Sequence, residues 1–239
     1  MADQQTVDLW VDEFVRRLRT QFGSRLMYVD LHGSWARGEG RPDSDIDMTV
    51  VLDHIEDEDL KAYADLVHSM PEARPLASGF LASAKELRAW PRYDRALSRH
   101  GRKVLHGSLD GAWAKPTDED LLGDVRIKAA VNLHVARHYM LYPHDRTAVV
   151  HLLRYPFKEC FFAMQSWTLL TTGTYYPRKI DLIAVLTDPD DRDLVRVAKD
   201  GQDLSEDRTQ RPMYYISLLE RWCRTMLGRI AAHEGKGRE

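Results

Sequence analysis

Apolar and polar residues alternate in two different rhythms along this chain, and the change of rhythm divides it. Residues 6–20 place Val7, Trp10, Val11, Phe14, Val15 and Leu18 at helical spacing with charges between them, which predicts an amphipathic helix. Leu26 to Leu31 is short, apolar and partly β-branched, and Gly33-Ser34 follows it, so a strand ending in a tight turn is expected. Arg37 to Ser44 collects Gly, Pro, Asp and Arg and reads as loop. From Asp45 to Leu52 the chain alternates strictly. Ile46, Met48, Val50 and Leu52 fall on one face and Asp45, Asp47, Thr49 and Val51 on the other, as in a half-buried strand. Residues 56–69 predict a polar helix, Leu76 to Leu81 a third strand, and Ala84 to Trp90 a short helical run.

Beyond a stretch rich in Gly and Pro between Gly107 and Pro116, the rhythm becomes helical throughout. Amphipathic patterns cover 124–142, about 148–172, 178–187, and a last helix opened by Pro212 with Ile216, Leu219, Trp222 and Met226 facing inward. The expected fold is therefore an α/β (α+β) domain with a small mixed sheet over residues 1–110, then an all-α bundle of four or five helices over 117–232. Residues 233–239 read as a frayed tail, and ligands are expected in the cleft between the two parts.

Composition narrows the function classes. A hydrophobic share of 44% with 30% charged residues fits a globular chain, and a net charge of −3 does not favour bulk binding to a nucleic-acid backbone. The densest basic cluster, Arg99-His100-Gly101-Arg102-Lys103, reads as a solvated turn. Two distant cysteines, Cys160 and Cys223, exclude a disulfide framework and a structural zinc site, and read as buried thiols. With neither a secretory signal nor an apolar run near the roughly 20 residues that span a bilayer, the chain reads as soluble, cytoplasmic and without a membrane partner.

The chemistry concentrates in Leu31-His32-Gly33-Ser34-Trp35-Ala36-Arg37-Gly38 and Ser44-Asp45-Ile46-Asp47. A glycine after a strand lets the backbone approach a ligand, and a serine hydroxyl with nearby N–H groups can grip phosphate oxygens. Asp45 and Asp47, two apart on a strand, share a face at roughly 7 Å between Cα atoms. Two such carboxylates repel unless a cation lies between them, and Mg²⁺ (or Mn²⁺) suits the role because it completes its shell with substrate phosphate oxygens.

Gly33-Ser34, ten intervening residues, then Asp45-Ile46-Asp47 resembles the nucleotidyltransferase superfamily with the DNA polymerase β-like core, in its minimal and aminoglycoside-modifying forms. Arg37-Gly38 and Ser44 also look typical of it, over roughly residues 8–110. Phe161-Phe162-Ala163-Met164-Gln165 and Thr172-Gly173-Thr174-Tyr175 are similar to the HEPN-like helical domains often joined to such cores. The resemblance implies transfer of a nucleoside monophosphate, AMP from ATP or another nucleoside triphosphate, to a hydroxyl of a small antibiotic-like molecule or a protein. Pyrophosphate is released. Asp45 and Asp47 would bind the metal, and Gly33, Ser34, Arg37 and Ser44 the nucleotide. Lys158, Arg178 and Lys179 are further candidates for the triphosphate oxygens.

One departure stands out. Active relatives commonly use a third carboxylate on a later strand, and Leu76 to Leu81 has none. Glu72 and Glu86 flank that segment, and Glu159 lies in the helical half. Glu86 and Glu159 are thus the candidate bases. Two alternatives follow: a nucleotide-binding regulatory or toxin–antitoxin-type protein with a degenerate site, and a HEPN-type RNase using Arg146 and His151, although Leu153 stands where one toxin group has Tyr. His134 and His138, four apart on a helix, have no third ligand beside them in sequence. His32 is notable only for preceding the phosphate turn. The acceptor, the base preference and the oligomeric state are open at this point.

Overall fold

A computed structural model describes residues 3–71, 77–110, 115–142, 146–201 and 203–236. The chain forms two compact units, one of Met1–Pro91 with Leu97–Lys115 and one of Arg92–Ala96 with Pro116–Glu239. Glu72 and Leu76 lie outside the described residues.

In the first unit, helix α1 (Gln4–Phe22) begins where the Asp3 carboxylate accepts the Thr6 N–H at 2.8 Å. It buries Val7, Trp10, Val11, Phe14, Val15, Leu18 and Phe22, the stripe its spacing predicts. The sheet has the order β3-β2-β1-β4. Strands β1 (Leu26–His32) and β2 (Ile46–Leu52) run antiparallel, with His32 opposite Asp47, Asp30 opposite Thr49 and Tyr28 opposite Val51. Helix α3 (Asp57–Ser69) connects β2 to β3 (Ala77–Ser83), which lies parallel to β2. Between β1 and β2 stands a single helical turn, α2 (Gly33–Ala36). A short helix, α4 (Ala84–Ala89), follows β3, and the edge strand β4 (Lys103–Gly107) pairs antiparallel with β1.

Period-2 alternation sorts the sheet's two faces. Val29, Leu31, Ile46, Met48, Val50 and Leu52 join α1 residues and Leu66 and Met70 in one core. Trp10 donates its indole N–H to Pro71 O at 2.9 Å, and Arg17 reaches Ser69, so α1 is pinned to the end of α3. On the opposite face, Tyr28 and Val51 pack with Ala82, Ala84, Leu87 and Leu109 at one end. Asp30, Thr49, His32 and Asp47 continue that face toward α2 and the loop that follows it.

The second unit is helical: α5 (Asp118–Leu141), α6 (Arg146–Thr172), α7 (Lys179–Val185), α8 (Pro189–Asp200), α9 (Ser205–Gln210) and α10 (Pro212–Lys236). Its core gathers Phe157, Phe161, Met164, Leu194, Leu219, Trp222 and Met226, together with Cys160 and Cys223, both buried and free. Buried carboxylates join its helices: Asp124 accepts from Ser166 at 2.6 Å, and Asp191 accepts from Trp222 Nε1 at 2.9 Å. Burial raises the pKa of both aspartates, against the pull of Lys128 on one and Arg229 on the other.

Three expectations are corrected. The bundle has α8 and α9 beyond the expected patterns. α8 is so charged that only Leu194, Val195 and Val197 carry its apolar stripe, although Asp188 as N-cap before Pro189 is a start signal. As its pattern over about 148–172 predicts, α6 runs through Pro156, where Phe157, Cys160 and Phe161 anchor the next turn in the core. Residues 233–236 are helical in α10 rather than frayed. The basic cluster leads into β4, a strand too short to announce itself. Among the described residues no helix is long and apolar enough to cross a membrane.

Phe14 is 1% exposed, stacked on Trp10 at 5.0 Å between ring centroids and edge-on to Tyr63 at 6.1 Å. Phe14→Ala is expected to cost about 3–5 kcal/mol through lost contacts and the cavity left behind, read by chemical denaturation.

Candidate active site

Strand alternation and register place Asp47, Thr49, Asp30 and His32 on one patch of the sheet, in two cross-strand rows. Asp47 stands between His32 on β1 and position 78 on β3, and Thr49 between Asp30 and Phe80. Asp47 is half-buried. Asp45 is exposed and precedes β2 by one residue, so the expected pair of strand positions is corrected to one strand residue and one loop residue at the strand's entry.

Gly33 opens the turn at φ +72°, a conformation that costs an L side chain about 1–2 kcal/mol. A Cβ there would lie 1.9 Å from Asp47 Oδ2, so the glycine also makes room for the carboxylate. Ser34 follows it, half-buried. The loop from Arg37 to Asp45 is folded around Trp35, which is buried. Its indole N–H donates to Ser44 O at 3.2 Å, and a Cβ on Gly40 would lie 2.3 Å from its ring. Ser44 Oγ accepts the Arg41 N–H at 2.9 Å, and Arg37 pairs with Glu39 at 3.4 Å. Arg37 and Ser44 thus shape the loop that delivers Asp45.

Next to Asp47 lies a network that sequence reasoning missed. Asp30 is fully buried and takes three hydrogen bonds, from Tyr28 Oη at 2.9 Å, His32 Nδ1 at 3.0 Å and Arg102 Nη1 at 2.7 Å. Arg102 Nη1 also donates to Thr49 Oγ1 at 2.9 Å. Burial pushes the Asp30 carboxyl up, but the His32 hydrogen bond and the Arg102 guanidinium outweigh it and hold it below the ordinary 3.8. Burial, with the Asp30 charge beside it, pushes the Tyr28 hydroxyl well up. Arg102 is not part of a solvated turn: it crosses the sheet face to neutralise Asp30. An aspartate amid the apolar run Tyr28-Val29-Asp30-Leu31 was the available signal.

The other candidates lie elsewhere. Glu86 accepts from Ser83 N at 2.6 Å and Ser83 Oγ at 2.8 Å in the capping box of α4, which lowers its pKa. Ser83 pairs with Leu52, five residues along β2 from Asp47, which is roughly 16 Å at strand rise. Glu86 is therefore a cap at the far end of the sheet and not a base beside Asp47. Lys158, Glu159, Arg178 and Lys179 belong to the helical unit. There Glu159 accepts from Asn132 Nδ2 at 3.0 Å, Arg178 pairs with Asp181 at 2.6 Å, Lys179 Nζ lies 4.9 Å over the Phe161 ring, and Lys158 is exposed. The side chains of Arg146 and His151 lie outside the described residues. His134 and His138 have ring centroids 6.4 Å apart with the planes tilted by 33°, and among the described residues no group of three or more His, Cys, Asp or Glu is placed to hold a metal. Asp45 and Asp47 still suit a hard cation that draws its remaining ligands from phosphates and water, since they stand at an accessible end of the face.

With this geometry in place, comparison with known proteins shows what the chain is similar to. Residues 11–92 match the family model described as a nucleotidyltransferase domain. The matched span contains α1 from Val11 onward, the Gly33-Ser34 turn, and both Asp45 and Asp47. Over 91% of its length the chain shares the fold of spectinomycin adenyltransferase AAD(9) from Enterococcus faecialis, solved with ATP and spectinomycin, at a TM-score of 0.55 and 13% identity, covering 99% of that protein. That likeness is one of fold: a small mixed sheet with helices, followed by a mostly helical region. No curated protein matches in sequence.

Two substitutions test this construction. Gly33→Ala is expected to lower stability by about 1–2 kcal/mol and to displace the Asp47 carboxylate, read by denaturation and a crystal structure of the variant. Arg102→Leu strands a buried charge and is expected to cost about 3 kcal/mol at neutral pH. Because Asp30 is held below its unfolded value, its stabilisation is present above pH 4 or so and lost as pH falls through the folded value. The gap between wild type and Arg102→Leu should therefore narrow in acid, measured by urea melts across pH 3–8.

Proposed function

We propose that the protein is a metal-dependent nucleotidyltransferase that moves a nucleoside monophosphate, AMP from ATP, to a hydroxyl group and releases pyrophosphate. The observation that carries this reading is the meeting of Gly33-Ser34 with Asp47 at one end of the sheet, with Asp45 at the strand's entry. Asp45 and Asp47 hold the divalent cation, Mg²⁺ or Mn²⁺, which supplies charge neutralisation for the triphosphate. The N–H groups of the Gly33-Ser34 turn and the Ser34 hydroxyl orient the phosphate oxygens. In the transfer, the acceptor hydroxyl oxygen bonds to the α-phosphorus and the bond from that phosphorus to the β-phosphate bridging oxygen breaks. Pyrophosphate leaves with the electron pair, and the hydroxyl proton leaves through the group that accepts its hydrogen bond and ends in solvent.

The acceptor class we favour is a small polyhydroxylated molecule. The fold shared with an adenyltransferase solved with spectinomycin over nearly the whole of both chains supports it. A second reading, a nucleotide-binding regulator, is favoured by one observation: β3 carries no acid and Glu86 is used as a helix cap.

Incubation with Mg²⁺, α-labelled ATP and a panel containing spectinomycin, other aminocyclitols and the protein itself is expected to label an acceptor. Asp47→Asn is expected to reduce transfer at least 100-fold while leaving the fold intact by circular dichroism. Metal-dependent ATP binding without transfer or pyrophosphate release would favour the regulator, and no binding would end the transferase reading.

A further inference from the structure

The histidine beside Asp47 has no role in the reading above. His32 stands directly across the β1–β2 ladder from Asp47, its side chain 27% exposed, while Asp30 beneath it is fully buried. Its Nδ1 lies 3.0 Å from Asp30 Oδ1 and 3.5 Å from Thr49 Oγ1. An ionised carboxylate only accepts, so the shorter contact requires a proton on Nδ1. The longer contact fits either tautomer, because a hydroxyl both donates and accepts, so the shorter one decides. It selects Nδ1–H, which in the neutral imidazole leaves the lone pair on Nε2. In an imidazole the two nitrogens are 1,3-related and their outward directions diverge widely, so a ring pinned through Nδ1 to the buried carboxylate points Nε2 away from it. A base-like nitrogen aimed by a buried carboxylate beside a reacting centre is an arrangement found where a hydroxyl must be oriented.

We infer that His32 is a catalytic residue that receives the hydrogen bond of the acceptor hydroxyl at Nε2 and aims its oxygen at the α-phosphorus, and that Asp30, held by Tyr28 and Arg102, is the positioning residue that fixes the ring. The inference rests on the nucleotidyltransferase reading and names a group for the acceptor side of that site. It also explains why a charge is buried next to the reaction face at all. Tyr28 and Arg102 hold Asp30 through Oδ2 and His32 takes Oδ1, so the carboxylate serves the histidine.

Two measurements test it. Long-range proton–nitrogen correlation spectra should show His32 as the Nδ1–H tautomer in the wild type, with that preference lost in Asp30→Asn. Finding Nε2–H in the wild type would overturn the inference without reference to any acceptor. The second measurement is AMP transfer from Mg²⁺·ATP to spectinomycin, or pyrophosphate release with water as the hydroxyl when spectinomycin takes no label. His32→Phe should lower the rate with the acceptor about 100-fold, a loss of the size that misorientation produces. The ATP KM should stay within twofold. His32→Gln, whose amide oxygen can still accept, should recover part of the loss. Equal rates in wild type and His32→Phe would overturn the proposal, as would a His32→Phe loss confined to ATP affinity. If the wild type neither binds Mg²⁺·ATP nor releases pyrophosphate, the transferase reading fails first and takes this one with it, even with the tautomer as stated.

Discussion

A carboxylate with no exposure to water, at the middle of the central strand, is the constraint around which the first unit is arranged. Leaving Asp30 buried without partners would cost several kcal/mol, so three side chains must supply donors. Tyr28 comes from the same strand, His32 from its end, and Arg102 from the approach to β4. Arg102 also touches Thr49 on β2, so one guanidinium ties β1, β2 and the edge strand's entry together. The alternation that buries Val29 and Leu31 under α1 sends Asp30 and His32 to the other face. Once that parity is set, the charge network and the Asp47 row share a surface. A one-residue slip in register would send Asp30 into the apolar layer under α1.

The same constraint separates the two roles of the loop between β1 and β2. Its start, Gly33-Ser34, is shaped by left-handed backbone and by the closeness of the Asp47 carboxylate. Its remainder is organised by Trp35, whose indole N–H holds Ser44 and whose ring leaves Gly40 no room for a side chain. Backbone approach at one end and a buried aromatic at the other bring Asp45 to the strand's entry. Ser44 and Arg37, which look like ligand groups in the sequence, are engaged inside this loop.

Much of this was legible in the sequence. Period-2 alternation from Ile46 to Leu52 gave the strand and its parity, and the helical stripe of α1 matched position by position. What escaped was long-range or weakly patterned. Arg102 lies 72 residues from the carboxylate it neutralises, and no local rule distinguishes it from Arg99, which pairs with Asp110 near the surface. β4 is an edge strand in which Leu105 alone packs against the core beneath α1, too little apolar signal to register. α8 was hidden by its charge and marked only by its cap. Glu86 was misread because a capping glutamate and a catalytic one look alike until the strand's length separates them.

That separation bears on how a site of this kind copes without an acid on β3. The parallel neighbour of Asp47 contributes no carboxylate from Ala77 to Ser83, so the row beside Asp47 must be completed from its antiparallel side. On that side stands His32, an imidazole of the right shape to accept a hydrogen bond, backed by a carboxylate that Tyr28 and Arg102 also hold. A second carboxylate there would add repulsion to Asp45 and Asp47 and raise the demand on any cation bound between them. An imidazole oriented from below avoids that repulsion, and its cost is moved into the protein interior, where Arg102 and Tyr28 offset it. The buried charge and the half-exposed ring are therefore two parts of one device, and the chain's investment in stabilising Asp30 follows from the need to hold His32 still.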